Sequence, residues 1–321
     1  MPNIRQPRMG SMQYWPRKQT KRRVARVRSW ANIKDLKPIG FAGYKVGMTH
    51  IIMTDNRQTS LTKGEGISCP VTIIECPPLK TASIRFYKNT PQGLRLVSEI
   101  FSEKLDKELE RSITMPKKIK KKIEDIKDFD DIKLLVYTQP GLTTIGKKKP
   151  ELFELALGGK KEEKLNYAKE KLGKELIIKE VFGEGQQVDT HTITKGKGFQ
   201  GPVKRFGISI RRHKSEKSIR NPGSLGPWCG QVHVMYRVAH AGRMGYNIRT
   251  EYNKLLLKIS DKPDINPKSG FYHYGVIKNP YILVKGSVPG PAKRLVRLNH
   301  ATRPNRGIPS TAPLIQYIDL K

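Results

Sequence analysis

Three long stretches of this chain contain no acidic residue: 1–34, 217–250 and 265–318. Freely soluble proteins interleave both signs on their surfaces, because a single-sign field repels itself and opposes compaction. A chain with such stretches must find its counter-charge in another molecule. Overall, 62 Lys/Arg face 28 Asp/Glu, a formal net charge of +34 on 321 residues. The excess is unevenly placed. Residues 91–190 hold 21 basic and 19 acidic groups, while the other 221 residues hold 41 and 9. One segment has the balance of an ordinary soluble domain. The remainder has that of a protein embedded in a polyanion, with nucleic acid the first partner to consider and an anionic membrane surface the second.

Other classes are excluded on simpler grounds. No apolar run reaches the roughly 20 residues that span a bilayer. The cysteines Cys69, Cys76 and Cys229 are odd in number and form no CxxC pair. Reduced thiols are expected, with neither a disulfide framework nor a cysteine zinc site. The Arg-rich N-terminus resembles a transit peptide, but Pro2, Pro7 and Pro16 break any amphipathic helix, so it reads as mature protein.

The expected organisation is a basic arm (1–35), a split β domain (36–90 and 183–321) and an inserted near-neutral α/β domain (91–182). Short β-branched runs at 41–49, 71–76, 188–194, 255–259, 281–284 and 295–298 read as strands, and Gly/Pro turns between them argue for a small barrel. Alternation of Val232, Val234, Tyr236 and Val238 with polar neighbours adds a strand over 232–238. In the insertion, Phe101, Leu105, Leu109 and Ile113 recur every four residues and predict a helix. Leu165, Ala168 and Leu172 predict another, capped by Gly173, and Pro150 opens a short third helix over 151–157. Leu134 to Tyr137 is a strand, and Lys117 to Lys122 a solvated loop.

Gly196-Lys197-Gly198-Phe199-Gln200-Gly201 fits the spacing of a dinucleotide-binding loop. The context refuses that reading, because Pro202-Val203-Lys204-Arg205-Phe206-Gly207 follows instead of an apolar helix that packs on a sheet. Glycine backbone can instead approach phosphates closely, with Lys195 and Lys197 alongside, or simply form a turn. None of the seven histidines has metal-ligand spacing, and no nucleophile–base set appears. Residues 204–231 are the most unusual: Arg205, Arg211, Arg212, His213, Lys214, Lys217 and Arg220 face one acid, Glu216, before a Gly/Pro-rich loop holding Trp228. So long a loop is functional or disordered, and its Trp is either a plug for the core or, in the sharper reading, lies near the tip of a basic finger that penetrates folded RNA. In the arm, Tyr14, Trp15 and Trp30 sit among Lys21, Arg22, Arg23, Arg26 and Arg28, a mixture suited to base stacking and phosphate contact.

These segments resemble a known family. Thr194 to Gly201, Gly223-Ser224-Leu225-Gly226-Pro227-Trp228, Ala241-Gly242-Arg243-Met244-Gly245-Tyr246, Arg249-Thr250-Glu251-Tyr252-Asn253-Lys254 and Val284-Lys285-Gly286-Ser287-Val288-Pro289-Gly290 are similar to signatures of the universal third protein of the large ribosomal subunit. Pro16-Arg17-Lys18, Trp30 and Gly43-Tyr44-Lys45-Val46-Gly47-Met48-Thr49 are too. The resemblance is to the archaeal and eukaryotic branch at archaeal length. Cys229-Gly230 departs from the His-Pro common there, and Arg243 from a common Gln.

The resemblance implies a mainly β fold: a six-stranded translation-protein-type barrel with an inserted α/β domain, an extended basic arm and a long internal finger. It implies a structural constituent of the large subunit, not an enzyme, that binds rRNA, supports early assembly and extends Trp228 toward the peptidyl transferase centre and A-site. RNA contacts are expected at Trp15, Arg17, Lys18, Lys21, Arg22, Arg23, Arg26, Arg28, Lys195, Lys197, Phe199, Lys204, Arg205, Arg211, Arg212, His213, Lys214, Arg220, Trp228, Arg243, Tyr246, Arg249, Lys293 and Arg294. Expected partners are large-subunit rRNA and neighbouring subunit proteins, at one copy per cytoplasmic ribosome. No membrane, small-molecule substrate or cofactor is expected beyond Mg2+ carried by rRNA. The alternatives are an RNA-modifying enzyme, which would need a cofactor pocket, and a nucleic-acid-compacting protein, which would not prefer rRNA to duplex DNA.

Overall fold

A computed structural model describes residues 9–116, 123–126, 128–215, 218–227 and 234–320. The fold is mainly β, and the chain divides into two units: Met1–Arg23 with Thr194–Ile248, and Val24–Ile193 with Arg249–Lys321.

The larger unit contains two sheets. The first is built from β1 (Gly40–Thr54), β2 (Gly66–Glu75), β8 (Gln187–Ile193), β11 (Ile248–Ser260), β12 (Tyr281–Lys285), β13 (Leu295–His300) and β14 (Ile315–Ile318). Its order is β13-β8-β11-β12-β2-β1-β14, and β13 also pairs with β1 in antiparallel register, Phe41 opposite Leu298. The sequence of these strands is dense in β-branched residues with Gly at bends. Gly43 has no room for a Cβ, which would lie 2.6 Å from the Glu75 carbonyl.

The second sheet has the order β4-β3-β5-β6, from β3 (Leu79–Thr90), β4 (Gly93–Phe101), β5 (Asp131–Thr138) and β6 (Leu152–Ala156), with β7 (Glu175–Leu176) paired to β3. It therefore takes in Leu79–Thr90, upstream of the expected boundary at 91. The charge balance changes later than the chain changes sheets, because Lys80, Arg85 and Lys88 of β3 find their acids in later segments. Helix α1 (Lys161–Lys171) lies against β5, buries Ala168 and is followed by Gly173 at φ +75°, as its spacing predicts. One buried cluster runs through both sheets, from Phe41 and Ile73 to Leu134 and Phe153.

Three expectations fail. Residues 101–113 are the end of β4 and a 3-10 turn at Lys107–Arg111 rather than one helix. A four-residue spacing satisfies strand and helix periods alike. Residues 151–157 are β6 and its flanks, because Phe153, Leu155 and Leu157 alternate into the core while Glu154 faces away to meet Arg85. Val234 to Val238 form a turn, not a strand; Val234, Met235 and Tyr236 are exposed, and Val238 N donates to Met235 O at 3.1 Å. The remainder of that expected strand and the loop 117–122 lie outside the described residues.

The arm also differs from an extension with little to bury. From Val24 it belongs to the larger unit. Ala25 and Val27 are buried and Trp30 packs on the core, while Arg26 and Arg28 between them point outward. Arg297, 3 % exposed, holds this segment. It donates from Nη1 to Ala25 O (3.2 Å) and from Nη2 to Glu154 O (2.6 Å), with the Phe153 and Trp30 rings 4.6 and 5.6 Å away.

Candidate nucleic-acid interface

The smaller unit holds eighteen Lys/Arg and a single acid, Glu216, in its 78 residues. Its two glycine-rich segments fold onto each other. Strand β9 (Phe199–Gln200) pairs with β10 (Gly242–Arg243), placing Phe199 opposite Arg243. Thr194 N donates to Asn247 O (3.0 Å), Lys197 N to Met244 O (2.9 Å) and Met244 N to Gly198 O (2.8 Å). Gly245 is required here: it sits at φ +74°, and a Cβ would lie 2.0 Å from the Lys195 carbonyl. The Lys197 amide is thus committed to pairing with the second segment, while the side chains of the loop stay open to a polyanion. Lys195, Lys197 and Phe199 are all exposed, Phe199 by 74 %. Helix α2 (Pro202–Phe206) follows, opened by Pro202 and closed by Gly207 at φ +74°. Residues 204–206 of the expected finger loop are therefore helical.

Phe206 is the local core of this unit. The Arg17 guanidinium lies 4.4 Å from its ring centre and that of Arg205 5.1 Å, with the Trp15 ring at 5.9 Å. Tyr236 meets Trp15 edge-on at 6.3 Å. Arg205 also donates to the carbonyls of His240 (2.9 Å) and Arg243 (3.2 Å), and burial lowers its pKa. Trp15, Arg17 and Arg205, all expected on RNA, therefore build the unit that displays the others. The indole N–H of Trp15 is buried without a hydrogen-bond partner among the described residues.

Lys18, Lys21, Arg22, Arg23, Lys204, Arg211, Arg212, His213, Lys214, Arg220 and Arg243 are exposed. Arg243 reaches Gln19 Oε1 at 3.3 Å. Tyr246 is half-buried at φ +55°, and its carbonyl accepts from Thr20 N (3.1 Å). Trp228 lies outside the described residues, as does Cys229; Cys69 and Cys76 are free and buried.

In the larger unit, Arg249 and Arg294 are half-buried and Lys293 is exposed at φ +68°. Lys45, which the sequence singled out only within a motif, ties two motifs together. Its Nζ donates to the carbonyls of Val288 (2.5 Å) and Gly290 (3.2 Å), while Lys293 N donates to its carbonyl (2.8 Å). Burial lowers its pKa, against the pull of Glu251.

The buried carboxylates and histidines of the larger unit serve its fold. Glu75 is buried and accepts from Lys278 N (2.9 Å), Asn279 N (3.0 Å) and the Tyr274 hydroxyl. Asp189 accepts from Asn253 N (2.9 Å) and Thr302 Oγ1 (2.6 Å). His191 and His300 are both pushed down to about 4, chiefly by burial, with Arg297 adding to the effect at His191 and Lys37 at His300. Among the described residues no three His, Cys, Asp or Glu converge to hold a metal, and no helix is long and apolar enough to cross a membrane.

A family profile described as Ribosomal protein L3 matches residues 1–320. Proteins named large ribosomal subunit protein uL3 are similar over nearly their full length. That of Archaeoglobus fulgidus is 47% identical over 93% of this chain and 92% of its own, and that of Methanocaldococcus jannaschii 47% over 98% and 97%. That of Methanosphaera stadtmanae is 48% identical over 98% and 96%. With its motifs in order and paired as described, the chain belongs to the ribosomal protein L3 family, a family of structural proteins rather than enzymes.

Proposed function

We propose that this chain is a structural constituent of the large ribosomal subunit that binds and scaffolds its rRNA. The observation that carries the reading is the smaller unit: its sequence sets eighteen Lys/Arg against one acid, and its described cations stand on or around a frame of a few aromatic rings and glycine turns. Phosphate contacts release counterions, so ten of them give log K a slope of about −9 against log salt. Shape and stacking on unpaired bases supply specificity, since A-form grooves hide sequence. Exposed Phe199 beside Lys197 and Arg243 suits stacking.

In this reading the ring of strands closed by the β13–β1 pairing is the six-stranded barrel, and the second sheet with α1 is the inserted domain. The near-neutral insertion faces solvent or neighbouring subunit proteins. The loop after α2 is a finger whose Trp228 approaches the peptidyl transferase centre, and the exposed cations of 211–220 act in early assembly. The protein resides on the cytoplasmic ribosome at one copy per large subunit, with Mg2+ supplied only through rRNA.

The test is sedimentation of tagged protein on a sucrose gradient after a high-salt wash. Retention at one copy per large subunit is the expected result, and release into the light fractions overturns the reading. For the finger, Trp228→Ala is expected to leave incorporation intact and impair A-site tRNA handling; unchanged translation rate and fidelity would remove that role.

A further inference from the structure

The acid-free stretch 265–318 contains a feature that the site residues above do not use. Tyr272 is 85% exposed, with its ring centre 3.8 Å from that of His273. An exposed aromatic alone means little, but this one crowns a stiff turn. Gly270, His273 and Gly275 all sit at positive φ (+72°, +60° and +108°). Phe271 N donates to Gly275 O (2.8 Å), while Tyr274 N and Gly275 N both donate to Phe271 O (3.0 Å each). The turn is anchored below. Tyr274 is buried and donates its hydroxyl to Glu75, and Thr144 Oγ1 donates to Val276 O (2.9 Å). Asn266 clamps Ile277 in both directions, each bond 2.9 Å.

Beside the turn lies a cavity of about 480 Å³ whose walls include Lys45, Met48, Phe271, His273 and Asp319. That volume is within the range of small-ligand pockets. Lys45 and Asp319 leave the cavity without net charge, and the Lys45 ammonium already serves the Val288 and Gly290 carbonyls. Such a cavity suits a neutral, flat heterocycle better than a phosphate. Exposed Lys268 and Lys278 flank the turn in sequence, where they can meet the phosphates on either side of a bound base. Exposed rings on a braced turn, an uncharged pocket and flanking cations together match the chemistry of an unpaired nucleotide.

We propose that the turn 269–275 is a nucleobase-binding site in which Tyr272 and His273 stack one splayed base of the rRNA against the cavity. This rests on the rRNA-binding reading above. It places a base contact in the larger unit, on residues that sequence reasoning did not select.

The test uses the full-length chain on large-subunit rRNA, with zero-length ultraviolet cross-linking, nuclease and protease digestion and mass spectrometry. A nucleotide adduct on Tyr272 or His273 is expected. Tyr272→Ala is expected to weaken rRNA binding about tenfold, the size of one lost stack, with the salt slope unchanged because no phosphate contact is removed. Tyr272→Trp restores the affinity, and Leu61→Ala, an exposed apolar control outside the cavity walls, leaves it unchanged. If wild-type protein binds with a steep salt slope but Tyr272→Ala binds equally well and no adduct forms, the base site is overturned while the scaffold reading stands. Wild-type protein that does not bind rRNA removes both. Loss of a neighbouring protein from Tyr272→Ala subunits, with rRNA affinity unchanged, also overturns the proposal in favour of a protein contact.

Discussion

The smaller unit and the five-stranded sheet hold their positive charge in opposite ways. On the sheet, cations are matched by carboxylates: Lys80 with Asp106 (2.6 Å), Arg85 with Glu99 (3.1 Å) and Glu154 (2.5 Å), Lys164 with Asp131 (2.8 Å). The smaller unit has one acid to set against eighteen cations. Among the described residues, its cations pack on rings and carbonyls, as Arg17 and Arg205 do, or face outward. A cation already paired with a carboxylate gains little from a phosphate, since its counter-charge is in place. A cation without one contributes through counterion release. Under the proposed function, this contrast favours RNA binding by the smaller unit and ordinary solvation or protein contact on the sheet.

The largest expected effect tests whether the larger unit depends on a cation buried inside it. Arg297→Ala empties a core position and strands the carbonyls of Ala25 and Glu154. The expected cost is about 3–5 kcal/mol of unfolding free energy, measured by denaturant titration. A loss no greater than that of a surface substitution would show that the segment 24–30 is held without it.

Next comes the charge contrast itself. Arg211, Arg212 and Lys214 changed together to Ala should weaken rRNA binding about 100-fold at physiological salt and flatten the salt slope by about 2 to 3. Lys80, Lys88 and Lys164 changed together should leave both nearly unaltered. Equal losses from the two triple variants would break the comparison.

Acid stability comes third. His191 and His300 are held near 4 by burial, whereas an unfolded histidine takes a proton at about 6.5. The unfolded state therefore binds more protons as pH falls. Stability is full above about 6.5 and is lost toward pH 4, by roughly 2 kcal/mol per histidine after allowance for partial burial. Flat stability over that window would contradict their placement. The smallest effect is Phe199→Ala, expected to lower rRNA affinity about fivefold to tenfold without changing the salt slope.

Much of this was legible in the sequence. The β-branched runs at 71–76, 281–284 and 295–298 located strands, and the spacing of Leu165, Ala168 and Leu172 located a helix. What the sequence hid was tertiary. The spacing of Phe101, Leu105, Leu109 and Ile113 fits a helix, but pairing with β3 claims Phe101 and leaves Leu109 to a short 3-10 turn. Phe153, Leu155 and Leu157 already alternated, but Pro150 ahead of them imitated a helix start. Nothing local shows that Trp15 and Arg17 also pack on Phe206, some 190 residues away. Arg297 gives no sequence signal at all: one more cation in an acid-free stretch, it is the one that is buried.

Lysine acetylation of salt-washed large subunits against the free protein, read residue by residue by mass spectrometry, tests where the chain meets RNA. Lys195, Lys197, Lys204 and Lys214 should lose their reactivity on the subunit, while Lys104, Lys107, Lys160 and Lys169 of the insertion keep theirs. Uniform protection of both sets, or protection of the insertion alone, would contradict the assignment of RNA binding to the acid-poor unit.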